Sequence, residues 1–260
     1  MIKTNKGPDK MTKGIFITGT DTGVGKTAIA AGIIRALGRK GVKAGAMKPV
    51  ETGCINEGGT LVAQDGMFLR KIAGMGEPAE IVTPVRFSYP LSPMVAAELE
   101  GKSVDLDAVM RAYSMLITKY DFLVVEGAGG IMVPIKESGG SMITGLIPSA
   151  FFMSDLIKSL DLPVVIVARA GLGTINHTLL TVLHAIGEGI EVRGVIINSN
   201  GPAVNTIAER TNPEVLRRIC PVPVLGVVPY NAALLSGAAC DAIDVIADSL
   251  SDEAVCLMLT

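Results

Sequence analysis

Residues 19–27, GTDTGVGKT, combine glycines, a lysine and hydroxyl groups at close spacing. An apolar stretch precedes them and a helix-period stretch follows, which is the context of a phosphate-binding loop. Gly23 and Gly25 allow backbone N–H groups to turn toward phosphate oxygens, and the start of the helix adds free N–H groups of its own. Lys26 is placed to reach the β- and γ-phosphates, and the hydroxyl of Thr27 is placed to bind magnesium. These residues therefore predict a site for ATP and Mg2+.

The spacing of this loop departs in one place from the usual GxxxxGK[ST] pattern. Thr20 stands where the first glycine of the pattern is expected, and Gly19 lies one residue earlier. The alternative is a glycine-rich turn that merely joins a strand to a helix, but the coincidence of Gly, Lys and Thr in this context favours phosphate binding. The loop residues predicted to contact ATP are Gly23, Val24, Gly25, Lys26, Thr27 and Ala28.

A second lysine, Lys48, ends the next apolar stretch, in the segment KPVETG. The carboxyl ends of neighbouring parallel strands share one crevice, so Lys48 is expected to face the γ-phosphate. There it would neutralise charge on a transferred phosphoryl group or an attacking oxyanion, which makes Lys48 and Lys26 the predicted catalytic residues. Thr52 places a hydroxyl within reach of the same position. The alternative for Lys48 is a solvated lysine at the end of a strand.

Two carboxylates are candidates to bind the magnesium ion together with Thr27. Glu126 ends the apolar stretch FLVVEG, where such folds hold a magnesium ligand, and a glycine-rich loop follows it. Asp65 opens a predicted helix, and an aspartate that merely stabilises the start of that helix is the alternative. The predicted nucleotide site therefore also includes Asp65, Glu126, Gly127, Ala128 and Gly129.

Two further stretches add polar groups at the same edge of the expected sheet. Asn198 closes VRGVIIN, where its amide could pair with the edge of an adenine ring, with turn formation as the competing explanation. Residues 171–176 open another helix, whose free N–H groups make a second anion site that a carboxylate could occupy. His177 and His184 lie seven residues apart on that helix and are interpreted as packing residues.

Short Val- and Ile-rich stretches alternate with helix-period stretches along the chain, which is the pattern of an α/β protein. Strands that are apolar on both faces belong to a sheet that helices cover on both sides. We expect one domain over residues 14–260 with a mostly parallel central sheet, preceded by a flexible arm at 1–13, and Ser103 capping a helix at 105–119. The other expected helices are 26–39, 61–72, 149–160, 174–187 and 213–220, and the expected strands are 15–18, 44–50, 122–126, 164–168, 192–198 and 224–228.

The overall composition argues against several classes of protein. Of 260 residues, 49% are hydrophobic, which suffices for a buried core, and 23 Lys and Arg against 25 Asp and Glu give no basic field for nucleic acid. The mean hydropathy is +0.48, yet no apolar stretch reaches the roughly 18 to 20 residues of a membrane span. The first residues lack the apolar core of a signal peptide, and the four cysteines lack zinc-site spacing. A cytoplasmic location with reduced thiols is expected.

In these motifs the chain resembles the dethiobiotin synthetases, ATP-dependent enzymes that close the ureido ring before the last step of biotin formation. The resemblance covers about residues 14–231 and rests on GTDTGVGKT, KPVETG, VEGAGG, LGTINH and VPY in this order. Five ordered motifs are far more specific than one phosphate loop. The resemblance implies a single-domain P-loop NTPase fold.

The resemblance also implies a reaction and a set of contacts. In this family 7,8-diaminononanoate, CO2 and MgATP give dethiobiotin, ADP and phosphate through a carbamate and a carbamic-phosphoric anhydride. A homodimer is implied, in which the partner's helix start receives the tail carboxylate of the substrate. The implied substrate contacts are Thr52, Thr174, Ile175 and Asn176, and the implied base-side nucleotide contacts are Asn198, Ser199, Pro229, Tyr230 and Asn231.

The chain departs from this family in three places. Residues 137–150, ESGGSMITGLIPSA, are extra, and either a mobile flap or an ordinary surface insertion explains them. Ser199 stands where an aspartate is common, which leaves base selectivity open. Residues 232–260 carry no clear motif.

Three other functions remain to be weighed. A switch ATPase of the partitioning and iron-protein group would carry a signature lysine at the position of Asp21, whose charge opposes phosphates. An amidotransferase-type cobyrinate ligase needs a glutaminase domain, for which we expect no room in this chain. A non-catalytic nucleotide-binding module would have no use for Lys48, Thr52 and Glu126 together. We therefore expect catalysis.

Overall fold

The structure is a computed structural model that describes residues 13–137, 150–199, 201, 206–231 and 239–260. The strands are β1 (Gly14–Gly19), β2 (Ala44–Met47), β3 (Val50–Thr52), β4 (Ile55–Glu57), β5 (Thr60–Val62), β6 (Val85–Phe87), β7 (Phe122–Gly130), β8 (Pro134–Glu137), β9 (Ala150–Phe152), β10 (Val164–Arg169), β11 (Val192–Asn198) and β12 (Val224–Val228). The helices are α1 (Lys26–Arg39), α2 (Gln64–Ile72), α3 (Ala79–Val82), α4 (Pro93–Leu99), α5 (Leu106–Lys119), α6 (Met153–Leu160), α7 (Thr174–Gly187), α8 (Ile207–Ile219), α9 (Ala239–Asp248) and α10 (Asp252–Leu259).

A six-stranded parallel sheet in the order β12-β11-β10-β1-β7-β2 forms the centre of the fold. Successive residues of a strand point to opposite faces, and Ile15, Phe16 and Ile17 of β1 are all fully buried. Both faces of the sheet are therefore covered, as the sequence predicts for strands without a polar face. β1 lies between β10 and β7, in the middle of the sheet. Parallel sheets bind ligands beside the carboxyl ends of their strands, where the connections of neighbouring strands run toward opposite edges.

The predicted bounds of α1, α7, β11 and β12 are confirmed, but several others are wrong. The expected strand 44–50 stops at Met47, and β3 pairs instead with β6 in a separate small sheet, because Pro49 has no N–H for the central ladder. The expected helix 61–72 starts only at Gln64, since β4 and β5 form an antiparallel hairpin before it. The expected helix 149–160 likewise begins at Met153, after β9 has paired with β8.

Two helix starts also differ from the sequence prediction. Asp105, not Ser103, caps α5 by accepting a hydrogen bond from the backbone N–H of Ala108. α8 was expected at 213–220, but it begins at Ile207 after a capping box formed by Thr206 and Glu209. The proline that marked the expected start lies inside the helix.

The carboxyl-terminal residues, for which the sequence offers no motif, form α9 and α10. Ion pairs join α1 to both of them: Arg39 contacts Asp244 and Asp248, and Lys40 contacts Asp252. The predicted arm lies outside the described residues except for its last member, and so does the interior of the 137–150 insertion. In the part of the chain that the structure describes, no helix is long and apolar enough to cross a membrane.

Candidate active site

A cleft of about 330 Å³ lies where β1, β2 and β7 end. It brings together ten of the residues predicted from sequence. Two residues that the sequence analysis missed, Thr22 and Glu51, also line it. The predicted residues along its walls are Gly23, Gly25, Lys26, Thr27, Lys48, Thr52, Asp65, Glu126, Ala128 and Gly129.

A larger cavity of about 660 Å³ lies elsewhere, against Lys13 and Pro163 at the amino ends of β1 and β10. It contains none of the motif residues. Because parallel sheets bind ligands at the carboxyl ends of their strands, the smaller cleft is the candidate site.

The phosphate loop between β1 and α1 depends on Gly25. This residue has φ 93°, and a Cβ there would lie 2.1 Å from Nδ2 of Asn198. A side chain is therefore excluded both by backbone conformation and by space. No side chain among the described residues caps α1, so the N–H groups of its first turn remain available to an anion.

Lys26 begins α1 and points back into the loop. Its Nζ donates a hydrogen bond to the backbone oxygen of Asp21 at 3.0 Å, and burial lowers the pKa of Lys26 to about 8. The Asp21 carboxylate accepts from the N–H of Thr22 at 2.7 Å. Burial outweighs the favourable charges of Glu126, Asp65 and Asp21, so this ammonium is well prepared to pair with phosphate.

Lys48 lies between two carboxylates. Its Nζ is 2.6 Å from Oε1 of Glu126 and 3.0 Å from Oδ2 of Asp65, and its backbone N–H donates to the carbonyl of Val82 at 2.8 Å. Burial alone would lower the pKa of Lys48, but the charges of Glu126 and Asp65 outweigh that effect and raise it. The solvated-lysine alternative is wrong, because Lys48 is only 4% exposed. Lys48 carries a fixed positive charge in the cleft.

Thr27, Asp65 and Glu126 form an oxygen-rich corner beside the two lysines. The hydroxyl of Thr27 donates to Oε1 of Glu126 at 2.9 Å, whereas Oε2 of Glu126 is buried without a hydrogen-bond partner among the described residues. An orphaned buried carboxylate oxygen is a feature that a bound cation would explain. The described residues contain no group of three or more His, Cys, Asp or Glu side chains that could hold a metal ion. This corner therefore fits Mg2+, which takes one or two protein carboxylates and completes its shell with phosphate oxygens and water.

The residues predicted to contact the nucleotide base lie at the ends of β11 and β12. Asn198 is buried, and its Nδ2 donates to the carbonyl of Val24 at 2.9 Å. The N–H of Ser199 donates to Val228 at 3.0 Å, which joins the two strand ends ahead of Pro229. The described contact of Asn198 is thus to the phosphate loop, and the base contacts of Asn198, Ser199, Pro229, Tyr230 and Asn231 stay predictions.

The second predicted anion site, at the start of α7, does not line the cleft. The Thr174 hydroxyl is fully buried, 3.4 Å from that of Thr178, whereas Asn176 is exposed. Asn212 of α8 fixes the preceding turn by donating to the carbonyls of Ala170 and Gly171 at 3.0 and 3.1 Å. His177 lies 3.3 Å from a guanidinium nitrogen of Arg169.

Glu51 was missed although it stands inside the quoted segment KPVETG. It is only 6% exposed, and its two carboxylate oxygens accept the N–H groups of Asp65 and Gly66, each at 2.9 Å. The sequence did carry a signal: Glu51 is a charged residue at the second position of a short strand. Thr22 could have been found from its place inside the phosphate loop.

Comparisons with known proteins found relatives over most of the chain. A family described as "AAA domain" matches residues 13–237. ATP-dependent dethiobiotin synthetase BioD of Thermodesulfovibrio yellowstonii is 49% identical, over 86% of this chain and 91% of that protein. The enzyme of the same name from Bacillus licheniformis is 43% identical, over 84% of this chain and 86% of that protein.

A solved structure supports the fold alone. The septum site-determining protein MinD of Pyrococcus horikoshii, complexed with Mg-ADP, superposes with a TM-score of 0.52 at 17% identity, covering 95% of each chain. The likeness confirms an α/β P-loop architecture. At this identity it carries no argument about activity.

Proposed function

We infer the chemistry of the cleft from one premise: the chain belongs to the ATP-dependent dethiobiotin synthetase family. It is accordingly an ATP-dependent ligase of biotin biosynthesis. The switch-ATPase alternative finds no support in the site, because the carboxylate of Asp21 bonds within its own loop and no lysine stands there. The roles of individual residues, the metal ion and the subunit arrangement are our proposals.

The central proposal is that Lys48 and Lys26 stabilise charge on the reacting phosphoryl group. One amine of 7,8-diaminononanoate adds to CO2, loses a proton and forms a carbamate. A carbamate oxygen then attacks the γ-phosphorus of ATP, and ADP leaves. The second amine attacks the carbonyl carbon of the resulting anhydride, and the ring closes as phosphate departs with the C–O electron pair. Fixed positive charges in a partly dry cleft are suited to this chemistry because they need no rearrangement as charge develops.

The observation that carries this proposal is the position of Lys48. Its ammonium lies at the end of β2, buried, protonated and within 3.0 Å of carboxylates on two different elements. These two ion pairs fix the ammonium in place, so it does not reorient toward solvent. It faces the cleft where the phosphate loop ends. Thr52, two residues beyond β3's start, offers a hydroxyl on the same wall for the carbamate end of the substrate.

Mg2+ fits the corner formed by Thr27, Asp65 and Glu126. When bound, the ion would supply charge neutralisation to the β- and γ-phosphates. The protein's part is to hold these oxygens in place: Thr27 is fixed to Glu126 by its hydroxyl, and Glu126 is 1% exposed.

A homodimer is supported by an apolar stripe on and just before α7. Leu172, Leu180 and Leu183 are 88%, 61% and 56% exposed, and Ile186 lies on the same side of the helix. Large exposed side chains at helical spacing mark an interaction surface, and a twofold dimer would place α7 against its own copy. The tail carboxylate of the substrate would then bind at the partner's helix start. Because the Thr174 hydroxyl is buried, the backbone N–H groups of Ile175 and Asn176 would make that contact.

Kinetics of two lysine variants test the proposed roles. Lys48→Ala should lower kcat at least a hundredfold with the Kd for ATP changed less than threefold, because its charge acts at the reacting end. Lys26→Ala should weaken ATP binding as well. Lys71→Ala, an exposed lysine at the end of α2, is the matched control. Normal turnover in Lys48→Ala would contradict its role.

A cytoplasmic location also stays a proposal, for cell fractionation to test.

A further inference from the structure

Glu51 is a buried carboxylate that the chemistry above does not use. It lies on β3 at the wall of the cleft, and it forms no ion pair among the described residues. Buried carboxylates are normally paired with a cation or fully hydrogen-bonded. Both of its oxygens are occupied by backbone N–H groups, from Asp65 to Oε1 and from Gly66 to Oε2. Its contacts therefore point to a role at the start of α2.

α2 has no cap of its own. Its N-cap position is Ala63, which has no side-chain acceptor. The N–H groups of Asp65 and Gly66 therefore have no partner within their own helix. These are the second and third helical positions, the ones that an N-cap side chain would normally satisfy. Glu51 performs this function from another element, and its negative charge faces the positive end of the helix dipole.

A second residue packs against the same turn. A Cβ on Gly66 would lie 1.8 Å from Oγ1 of Thr83, so the backbone of α2 packs directly against that residue. Glu51 and Thr83 therefore both restrict the movement of this first turn. Asp65 lies in this turn, and its Oδ2 reaches Nζ of Lys48 at 3.0 Å.

We propose that Glu51 is a positioning residue that holds Asp65 toward Lys48 and the magnesium corner. The inference rests on the proposed function, since Asp65 is a metal ligand only in that account. Without the two hydrogen bonds that Glu51 accepts, the first turn of α2 would fray, and the half-exposed Asp65 carboxylate would turn into solvent. Mutation of a residue that orients a metal ligand through a hydrogen bond typically weakens metal binding by about 10- to 100-fold.

Glu51→Gln is the main test, because it preserves size and replaces one acceptor by an NH2 group that faces a backbone N–H. The probe is Mn2+ added to the full chain with ADP, followed by the EPR signal of free Mn2+ against a nucleotide-only blank. We expect the Kd for Mn2+ to rise at least tenfold. Glu57→Gln, an exposed glutamate in the neighbouring hairpin, is the control and should leave the Kd unchanged.

A double-mutant cycle with Asp65→Ala separates positioning from general damage. If Glu51 acts through Asp65, Glu51→Gln should change the Kd by less than twofold once Asp65 is alanine. An equal loss in both backgrounds would overturn the proposal, and so would an unchanged Kd in Glu51→Gln itself. If that variant does not fold, Glu51→Asp replaces it: the shorter side chain cannot reach both N–H groups, and an unchanged Kd there would also overturn the proposal. Absence of protein-dependent Mn2+ binding in the unmodified chain would contradict the metal assignment as well, which distinguishes the two failures.

Discussion

Replacing Lys48 by methionine isolates the energetic cost of the buried charge cluster. Methionine keeps the length and the apolar stem but removes the ammonium that contacts Glu126 at 2.6 Å and Asp65 at 3.0 Å. Asp65 is 44% exposed and can be rehydrated, whereas Glu126 is 1% exposed and cannot. The penalty should therefore come almost entirely from Glu126.

Removing one partner of a buried ion pair costs about 3–5 kcal/mol, because the other charge is left without compensation. Burial raises the pKa of Glu126, so the carboxyl can take up a proton once Lys48 is absent, and Lys26 favours its charged form. We therefore expect the lower end of this range, about 3 kcal/mol. For a chain of this size that corresponds to a fall in Tm of roughly 6–12 °C. The double variant Lys48→Met/Glu126→Gln should recover most of the loss, since it no longer buries an unpaired charge.

The assay is urea unfolding at pH 7.5 and low salt, followed by circular dichroism for the wild type, both single variants and the double variant. A coupling free energy above about 1.5 kcal/mol between the two sites would support the account. A single-variant loss below about 1 kcal/mol, or simple additivity, would show that Lys48 and Glu126 are solvated and would refute the reasoning.

Three further predictions concern the loop, the dimer and acid stability. Gly25→Ala should weaken ATP binding more than tenfold by calorimetry, since a Cβ there meets Asn198 at 2.1 Å; unchanged affinity would contradict the loop geometry. Leu183→Glu should shift the sedimentation coefficient from dimer to monomer by placing charge on the apolar stripe, and a persisting dimer would place the interface elsewhere. Burial would raise the pKa of Glu100, but hydrogen bonds from Lys102 and Ser88 outweigh it and lower the pKa to about 2, from an ordinary value of 4.5. Glu100→Gln should therefore lower Tm at pH 7, and the gap should close as pH falls from 4.5 toward 2; a gap independent of pH would contradict this.

The sequence predicted those parts of the fold that depend on short, regular patterns. β11 and β12 are apolar on both faces, and α1 and α7 each follow a glycine with positive φ, so their bounds were predictable. The α/β class with a parallel central sheet followed from the same alternation. Lys48 and Glu126 were predictable because they follow or close apolar stretches, and parallel strands bring their carboxyl ends together. Lys26 was predictable from its place in the phosphate-loop motif.

What the sequence could not predict depends on contacts between distant elements. The pairing of β3 with β6 joins residues 35 positions apart at Val50 and Val85, and nothing local marks it. The cap that Glu51 provides for α2 spans a hairpin, so the local rule for helix starts does not detect it. α9 packs on α1, but no sequence motif indicates that these two helices are neighbours.

The most direct test of the central claim is to measure phosphate release and ring-closed product together, with MgATP and bicarbonate, in the presence and absence of 7,8-diaminononanoate. The account predicts that phosphate and dethiobiotin appear in equal amounts and only when the diamine is present. ATP hydrolysis that does not depend on the diamine, or phosphate release without dethiobiotin, would contradict it.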